Sequence, residues 1–410
     1  GKRRRSPTSP SPTSSTDYSS RSSSPSTPPR KKKGHSDGDS NDDEIVHFTW
    51  RKGMVMNSRY QVSRLLGDGT FGRVLLAQDQ RHSGREVAVK VIRDVKRYGE
   101  NAKIEADILK DIKKHDPLGA ASRSCIMHET FGHERHYCLV FEPCGESLYD
   151  FMKKNSYRGF LLEDLQTFMQ ESLVAMAFLH GQMRMTHTDL KPENILLETR
   201  EAPRPCAFPR EDFWRQAQRQ RGGSDSEKTS SEYLRPARPH IRIIDFGNAT
   251  YENEHHSSCI NTRQYRSPEV ILGHGWNEVS DIWSLGCIFM ELYTGELLFG
   301  THENLEHLAL MERLLDPFPS SMLASAKKET REKHVVQEPQ GRMRLGWPEK
   351  CKSASSERHV RNQRPIGHLA APEHAPLTDF CSSLLALDKA ERISAKEALT
   401  HPFLSARYPE

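Results

Sequence analysis

No apolar run in this chain approaches the roughly 18 residues that a helix needs to cross a bilayer, and no apolar segment follows the basic residues at its start. A membrane span and a secretory leader are therefore not expected. Paired cysteines are missing too. The eight (Cys125, Cys138, Cys144, Cys206, Cys259, Cys287, Cys351, Cys381) stand singly, with neither metal-ligand spacing nor a compact disulfide framework. They read as free, mostly structural thiols in a soluble intracellular protein. Net charge is modest at +4. No direct nucleic-acid or membrane partner is expected, and a monomer is the expected state.

What is present is enough apolar material for a sizeable core, 35% of 410 residues with five Trp. That length fits one large two-lobed domain with tails. Residues 1–33 carry nine basic residues against Asp17 alone, so the remainder is slightly acidic. Such a body could attract basic partners, although an ordinary solvated surface has the same charge. Residues 1–44 divide into a Ser/Pro/Arg-rich stretch and an acidic linker from Asp37 to Glu44. With almost nothing apolar to bury, this stretch is expected to be disordered. It holds Ser-Pro and Thr-Pro steps from Ser6-Pro7 to Thr27-Pro28, candidate phosphorylation sites, and the run Arg30 to Lys33, a candidate nuclear-import cluster.

The chemistry converges on His187-Thr188-Asp189-Leu190-Lys191-Pro192-Glu193-Asn194, which precedes Asp245-Phe246-Gly247. An acid, an amine and a metal-type amide at fixed spacing are the order of phosphoryl-transfer enzymes. Upstream, Gly67-Asp68-Gly69-Thr70-Phe71-Gly72-Arg73-Val74 lies between strand-like stretches, and the strand-like Val87-Ala88-Val89-Lys90 follows. A lone glycine motif also marks dinucleotide sites, but there it opens a helix; here a strand follows, which favours a hairpin over phosphates. Lys90 needs an acidic partner, and Glu105 or Asp107 could serve, on a helix read from Ile104, Ile108 and Leu109; Glu105 is taken. Leu139-Val140-Phe141-Glu142 reads as a strand into a hinge. Glu163 to His180 has apolar residues at 165, 168, 169, 173, 176 and 179, a helix that delivers the chain to the loop.

These segments resemble the protein-kinase signature. By that resemblance Asp189 takes the substrate hydroxyl's proton, Asn194 and Asp245 hold Mg²⁺, and Lys90, fixed by Glu105, contacts the α and β phosphates of ATP. Lys191 and Thr262 complete the catalytic group. Nucleotide contacts fall to Leu66, Gly67, Asp68, Gly69, Thr70, Phe71, Gly72, Val74, Ala88, Lys90, Phe141, Glu142, Cys144, Asn194, Leu196 and Asp245. His187 reads as structural. Thr188 stands where most kinases place an Arg that binds an activation-loop phosphate, so activity should depend less on such a phosphate. Ser267-Pro268-Glu269 closes the activation segment, Glu269 is expected to pair with Arg392, and Asp281 to brace the catalytic loop.

Glu306-His307-Leu308-Ala309-Leu310-Met311-Glu312-Arg313 is similar to the E-H-L-A-M-M-E-R signature of the LAMMER, or CDC-like (CLK), dual-specificity kinases, with Leu310 the one departure. Asn261 to Arg266 and Glu254 to Ser257 resemble the same family's activation segment. The resemblance implies an α+β, bilobal eukaryotic protein kinase fold: a β-rich N-lobe over 45–141 and a helical C-lobe over 142–404, with an insertion at 198–240, a family-type insert at 327–365, and a C-terminal tail at 405–410. It implies a nuclear enzyme, with cytoplasm as a second compartment, that uses ATP and Mg²⁺. Its expected activities are autophosphorylation on Ser, Thr and Tyr and phosphorylation of arginine-serine-rich splicing factors.

Glu193 and Glu291 match positions where arginine-directed kinases face the peptide with carboxylates, which bind guanidinium groups bidentately. The insertion reads as a surface expansion with Phe213-Trp214 as its anchor, and 327–365 as basic and poorly periodic. Two alternatives stand beside this reading. One is a related proline-directed or tyrosine-autophosphorylating kinase, for which Tyr265 leaves room, and the other is a pseudokinase scaffold.

Overall fold

The computed structural model describes residues 48–220 and 232–408. The tail 1–44 with its Ser-Pro steps and import cluster, residues 221–231 and residues 409–410 lie outside the described residues.

Alternating side chains build the upper layer. Strands β1 (Val55–Met56), β2 (Tyr60–Gly69), β3 (Gly72–Asp79), β4 (Arg85–Ile92), β5 (Met127–His133) and β6 (His136–Phe141) form one antiparallel sheet in the order β1-β2-β3-β4-β6-β5. A strand's side chains alternate between faces. Leu75, Val89 and Val140 are opposite one another in register, and with Val62, Val87 and Val91 they form the outer core. The other face brings Val74, Lys90 and Leu139 into one row and Leu76, Ala88 and Phe141 into the next. Helix α1 (Lys96–His115) packs below, burying Ala102, Glu105, Ala106, Ile108, Leu109 and Ile112. The sequence reading had placed Ile104 on the apolar face, but it is 53% exposed. The helix turns Glu105 inward in its stead, because the sheet presents an ammonium there.

The lower layer is helical. Helices α2 (Leu148–Lys154) and α3 (Leu162–Gly181) precede the short strands β7 (Met185–Thr186) and β8 (Ile195–Leu197). All six apolar positions predicted for α3 are buried. Strand β9 (Arg204–Cys206), helix α4 (Glu211–Gln220) and strand β10 (Tyr233–Arg235) make up the described part of the insertion. Strands β11 (Ile241–Ile243) and β12 (Thr250–Tyr251) pair antiparallel with β8 and β7, and so hold the two functional loops side by side. Helices α5 (Pro268–Leu272), α6 (Val279–Thr294) and α7 (Asn304–Leu314) follow. Every residue of α6 but its last is buried, and Trp283 stacks on Phe299 with centroids 5.8 Å apart.

Glu269 and Arg392 meet at 2.8 and 2.9 Å with both side chains essentially inaccessible, which locks α5 to the C-terminal part of the domain. Such a pair contributes little net stability but is costly to break, because one partner would be left as a buried uncompensated charge. Residues 327–365 are more ordered than their sequence implied. They form a helix over Lys328–His334, a hairpin of Val335–Gln337 with Met343–Leu345, and a helix over Ala354–Arg361. Long-range packing supplies what local periodicity lacked, as Arg313 of α7 donates to the Gln363 carbonyl at 2.7 Å. No helix among the described residues is long and apolar enough to cross a membrane.

Candidate active site

The upper half of the site follows from the sheet register. Lys90 Nζ lies 2.9 and 2.7 Å from the two Glu105 carboxylate oxygens and 4.0 Å from Asp245 Oδ1. Burial alone would lower the pKa of Lys90, but the carboxylates of Glu105 and Asp245 more than offset it and hold it above the usual lysine value. Of the two acidic candidates on α1, Asp107 faces outward and pairs with Lys110 at 2.8 Å. The glycine motif forms the β2–β3 hairpin, with Phe71 at its tip set edge-on to Tyr98 of α1 at 5.2 Å. Asp68 pairs with Arg73 at 3.0 Å, and the Gly69 carbonyl accepts from Arg93 at 2.8 Å.

Gly72 is glycine for a reason the sequence did not suggest. A Cβ there would sit 2.1 Å from the Val91 carbonyl oxygen, so contact with β4, rather than approach to a phosphate, excludes a side chain. Leu66 and Val74 belong to the hairpin strands, and Ala88 pairs with Phe141 across β4 and β6. Beyond β6, Glu142 N–H donates to the Ile126 carbonyl at 2.9 Å and Gly145 N–H to the Leu197 carbonyl at 2.7 Å. Cys144 lies between these anchors, and Leu196 is on β8.

The lower half is a braced loop. Asp281, fully buried on α6, accepts from the N–H groups of His187 at 2.7 Å and Thr188 at 2.9 Å. Its third bond is to His180 Nε2 at 2.9 Å. Thr188 has φ +67°, a strained value for a β-branched residue. Asp281 holds that turn, and the Thr188 hydroxyl donates to the Asn248 carbonyl at 2.7 Å. Buried His187 donates from Nε2 to the Ile244 carbonyl at 3.1 Å and accepts the Asp189 N–H at 3.3 Å. One neutral tautomer serves both bonds, and the role is structural.

Asp189 is thereby presented between two donors. Lys191 Nζ is 2.7 Å from Oδ2 and the Thr262 hydroxyl 2.8 Å from Oδ1, with Lys191 and Thr262 3.4 Å apart. Burial works against the Lys191 charge, but Asp189 outweighs it and raises the ammonium's pKa. Asn194 donates to the Asp189 carbonyl at 2.9 Å, and its own carbonyl accepts the Ile244 N–H at 3.0 Å, next to Asp245. Asp245 has φ +68°, and Phe246 packs edge-on to His187 at 5.0 Å.

The donor set suits nucleotide-bound metal. Among the described residues no group of three or more His, Cys, Asp or Glu side chains is placed to hold a metal ion by itself. A hard divalent ion held by Asn194 and Asp245 would complete its shell with phosphate and water, which is how such ions bind in phosphoryl-transfer sites.

The two proposed peptide carboxylates separate. Glu193 is half-buried in the loop, close enough for its charge to act on Lys191. Glu291 is 1% exposed and accepts the Tyr265 hydroxyl at 2.7 Å. The Glu291 carboxylate, expected to face the peptide, is in this structure engaged by Tyr265 of the activation segment and closed to solvent. Tyr265 is likewise only 3% exposed. The sequence reading missed this Tyr265–Glu291 lock, and no local signal marks it, because the two residues lie 26 positions apart.

Residues 60–404 match the protein kinase domain family. The chain is 40% identical over 370 residues to the serine/threonine-protein kinase AFC2 of Arabidopsis thaliana, covering 89% of this chain and 81% of that one. It is 38% identical to the dual specificity protein kinase CLK1 of Mus musculus, covering 88% of this chain and 69% of the relative. A crystal structure of a kinase domain superposes with a TM-score of 0.77 at 42% identity, covering 88% of this chain and all of that one. With the braced Asp189, the Lys90–Glu105 pair and the signature helix α7, these likenesses show that the chain belongs to the protein kinases and, within them, to the LAMMER (CDC-like) family.

Proposed function

We propose that this kinase uses Mg²⁺ as its metal and phosphorylates serine within arginine-rich protein segments. Splicing factors of the arginine-serine type are the proposed substrates, in the nucleus, with autophosphorylation on Ser, Thr and Tyr. Two relatives support this breadth, one named a serine/threonine-protein kinase and the other a dual specificity kinase. The single observation that carries the substrate class is Glu193, a half-buried carboxylate four residues after Asp189 whose charge acts on Lys191. A guanidinium next to the reacting hydroxyl would meet it in a charge-assisted pair.

As in protein kinases generally, ATP supplies the phosphoryl group, and a divalent metal neutralises the charge on its phosphates. Lys90, held by Glu105, orients the nucleotide. Asp189 positions the substrate hydroxyl and accepts its proton. Lys191 and Thr262 keep that carboxylate aimed, and Lys191 adds positive charge where negative charge develops. The activation segment is held by main-chain and amide contacts: Arg266 donates to the Ile260 and Asn261 carbonyls at 2.9 and 2.8 Å, and Asn261 N–H to the Thr188 carbonyl at 2.9 Å. These contacts favour activity without a phosphate on the segment.

The test is phosphate transfer to an Arg-Ser-repeat peptide compared with a Ser-Pro peptide lacking arginine. We expect the repeat to be preferred and Glu193→Ala to raise its KM far more than that of the arginine-free peptide. Preference for Ser-Pro would make the enzyme proline-directed, and equal effects of Glu193→Ala on both peptides would remove the carboxylate from recognition.

A further inference from the structure

Behind the segment that follows β6, two thiols face each other. Cys125 Sγ and Cys144 Sγ are 3.6 Å apart, and both approach the Glu142 carbonyl oxygen, at 3.3 and 3.9 Å. They line a cleft of about 60 Å³ whose other walls include Glu142, Glu198 and the Arg242 guanidinium. We propose that Cys125 and Cys144 are an oxidative modification site, closing to a reversible intramolecular disulfide that stiffens the connection between the lobes. A bonded pair sits at about 2.05 Å, so the two sulfurs must approach by roughly 1.5 Å to close the bond.

The two thiols are unequal, and the inequality sets the order of the chemistry. Cys144 is part-exposed, whereas Cys125 is buried. The hydrogen bond to Cys144 and burial hold the Cys125 thiol well above its ordinary range, so Cys125 rests protonated. A hydroperoxide entering the cleft is attacked by the Cys144 sulfur, whose proton passes to the departing oxygen. The O–O bond breaks, giving a sulfenic acid on Cys144 and water, or an alcohol from an organic peroxide. Cys125 sulfur then attacks the sulfenic sulfur, the S–S bond forms, the S–O bond breaks, and hydroxide leaves with the Cys125 proton as a second water. Two electrons and two protons pass from the thiol pair to the peroxide.

The location gives the bond a consequence. Cys125 N–H donates to the Ile243 carbonyl at 3.1 Å, two residues before Asp245, while Cys144 lies between the Glu142 and Gly145 anchors. A disulfide would tie the connection between the lobes to Cys125, whose backbone is hydrogen-bonded to β11, the strand that leads into Asp245. Opening and closing of a cleft commonly limit turnover, and a cross-link at the pivot restricts both.

The experiment treats the full chain with hydrogen peroxide and maps peptides without reduction, following nucleotide binding and phosphate transfer to a general protein substrate in parallel. The expected result is a Cys125–Cys144 cross-linked peptide with a several-fold fall in turnover, reversed by dithiothreitol. Cys125→Ser, with Cys125→Ala as a second variant should serine at a buried site unsettle the fold, should keep the untreated activity and lose both the cross-link and the reversible fall. Sulfenic or sulfinic acid on Cys144 without a cross-link would overturn the proposal. So would an equal fall in Cys125→Ser, which would place the damage at another thiol, or a cross-link that leaves turnover unchanged.

Discussion

Asp189 combines two demands that conflict in a flexible chain: its carboxylate must be aimed, and the loop that presents it must hold still while it takes a proton. Thr262 and Lys191 meet the first with hydrogen bonds of 2.8 and 2.7 Å. Asp281 meets the second indirectly by holding the loop's backbone. Asp189→Asn keeps the shape and a hydrogen bond to Thr262 but cannot accept the proton. We expect kcat to fall by about 10²–10⁴-fold with the KM for ATP and the melting temperature nearly unchanged, by steady-state kinetics and calorimetry. Retained phosphate transfer would reassign the base. Residue types at short spacing made this cluster legible in the sequence, because Asp189, Lys191 and Asn194 lie within one loop and their geometry is local. The surroundings of Glu291 were not legible, for the opposite reason. Its environment is set by Tyr265, and nothing near it in the chain announces burial.

At the scale of elements, α7 carries the family signature and an unusual core residue. His307 is fully buried, and among the described residues neither of its ring nitrogens has a hydrogen-bond partner. Burial, with the nearby Arg266 and Arg263 charges, pushes its pKa down to about 3. The unfolded chain titrates near the ordinary value of about 6.5. Between those values the unfolded state takes up a proton that the native state refuses, so stability is lost as pH falls from about 6.5 towards 3. His307→Leu removes this loss together with two unsatisfied nitrogens. Its urea midpoint should gain on the wild-type midpoint as pH drops from 7.5 to 5, and a gap that does not change with pH would show that His307 is not the titrating group. Helix α3 was readable from its apolar spacing alone. In α1 the same kind of reading put Ile104 inside, because a helix's period says which residues share a face but not which face meets the sheet.

For the molecule as a whole, the insertion is more than an expansion. Its described flanks are fastened to the lower lobe. Arg235 forks onto Asp164 at 2.8–3.1 Å and reaches Glu163, Asn155 exchanges two hydrogen bonds with the Leu234 backbone, and Trp214 Nε1 donates to the Tyr157 carbonyl at 3.2 Å. Asp164 has no exposure. Arg235→Ala would remove the guanidinium from that buried carboxylate and should cost about 1–3 kcal/mol. The melting temperature should drop by several degrees while kcat holds. A variant as stable as wild type would mean that the insertion merely rests on the lobe.

The sequence by itself determined the order of the site's parts, since hairpin, helix and loop signals are carried by neighbours in the chain, and through its resemblance to the protein kinases it implied the reaction chemistry and the two-lobed architecture. Tertiary structure alone decided that Ile104 turns outward, that Glu291 is buried against Tyr265, that Cys125 and Cys144 face each other, and that the described flanks of the insertion are docked. Each of these depends on contacts between residues distant in sequence, where packing and desolvation, not local spacing, select the partner.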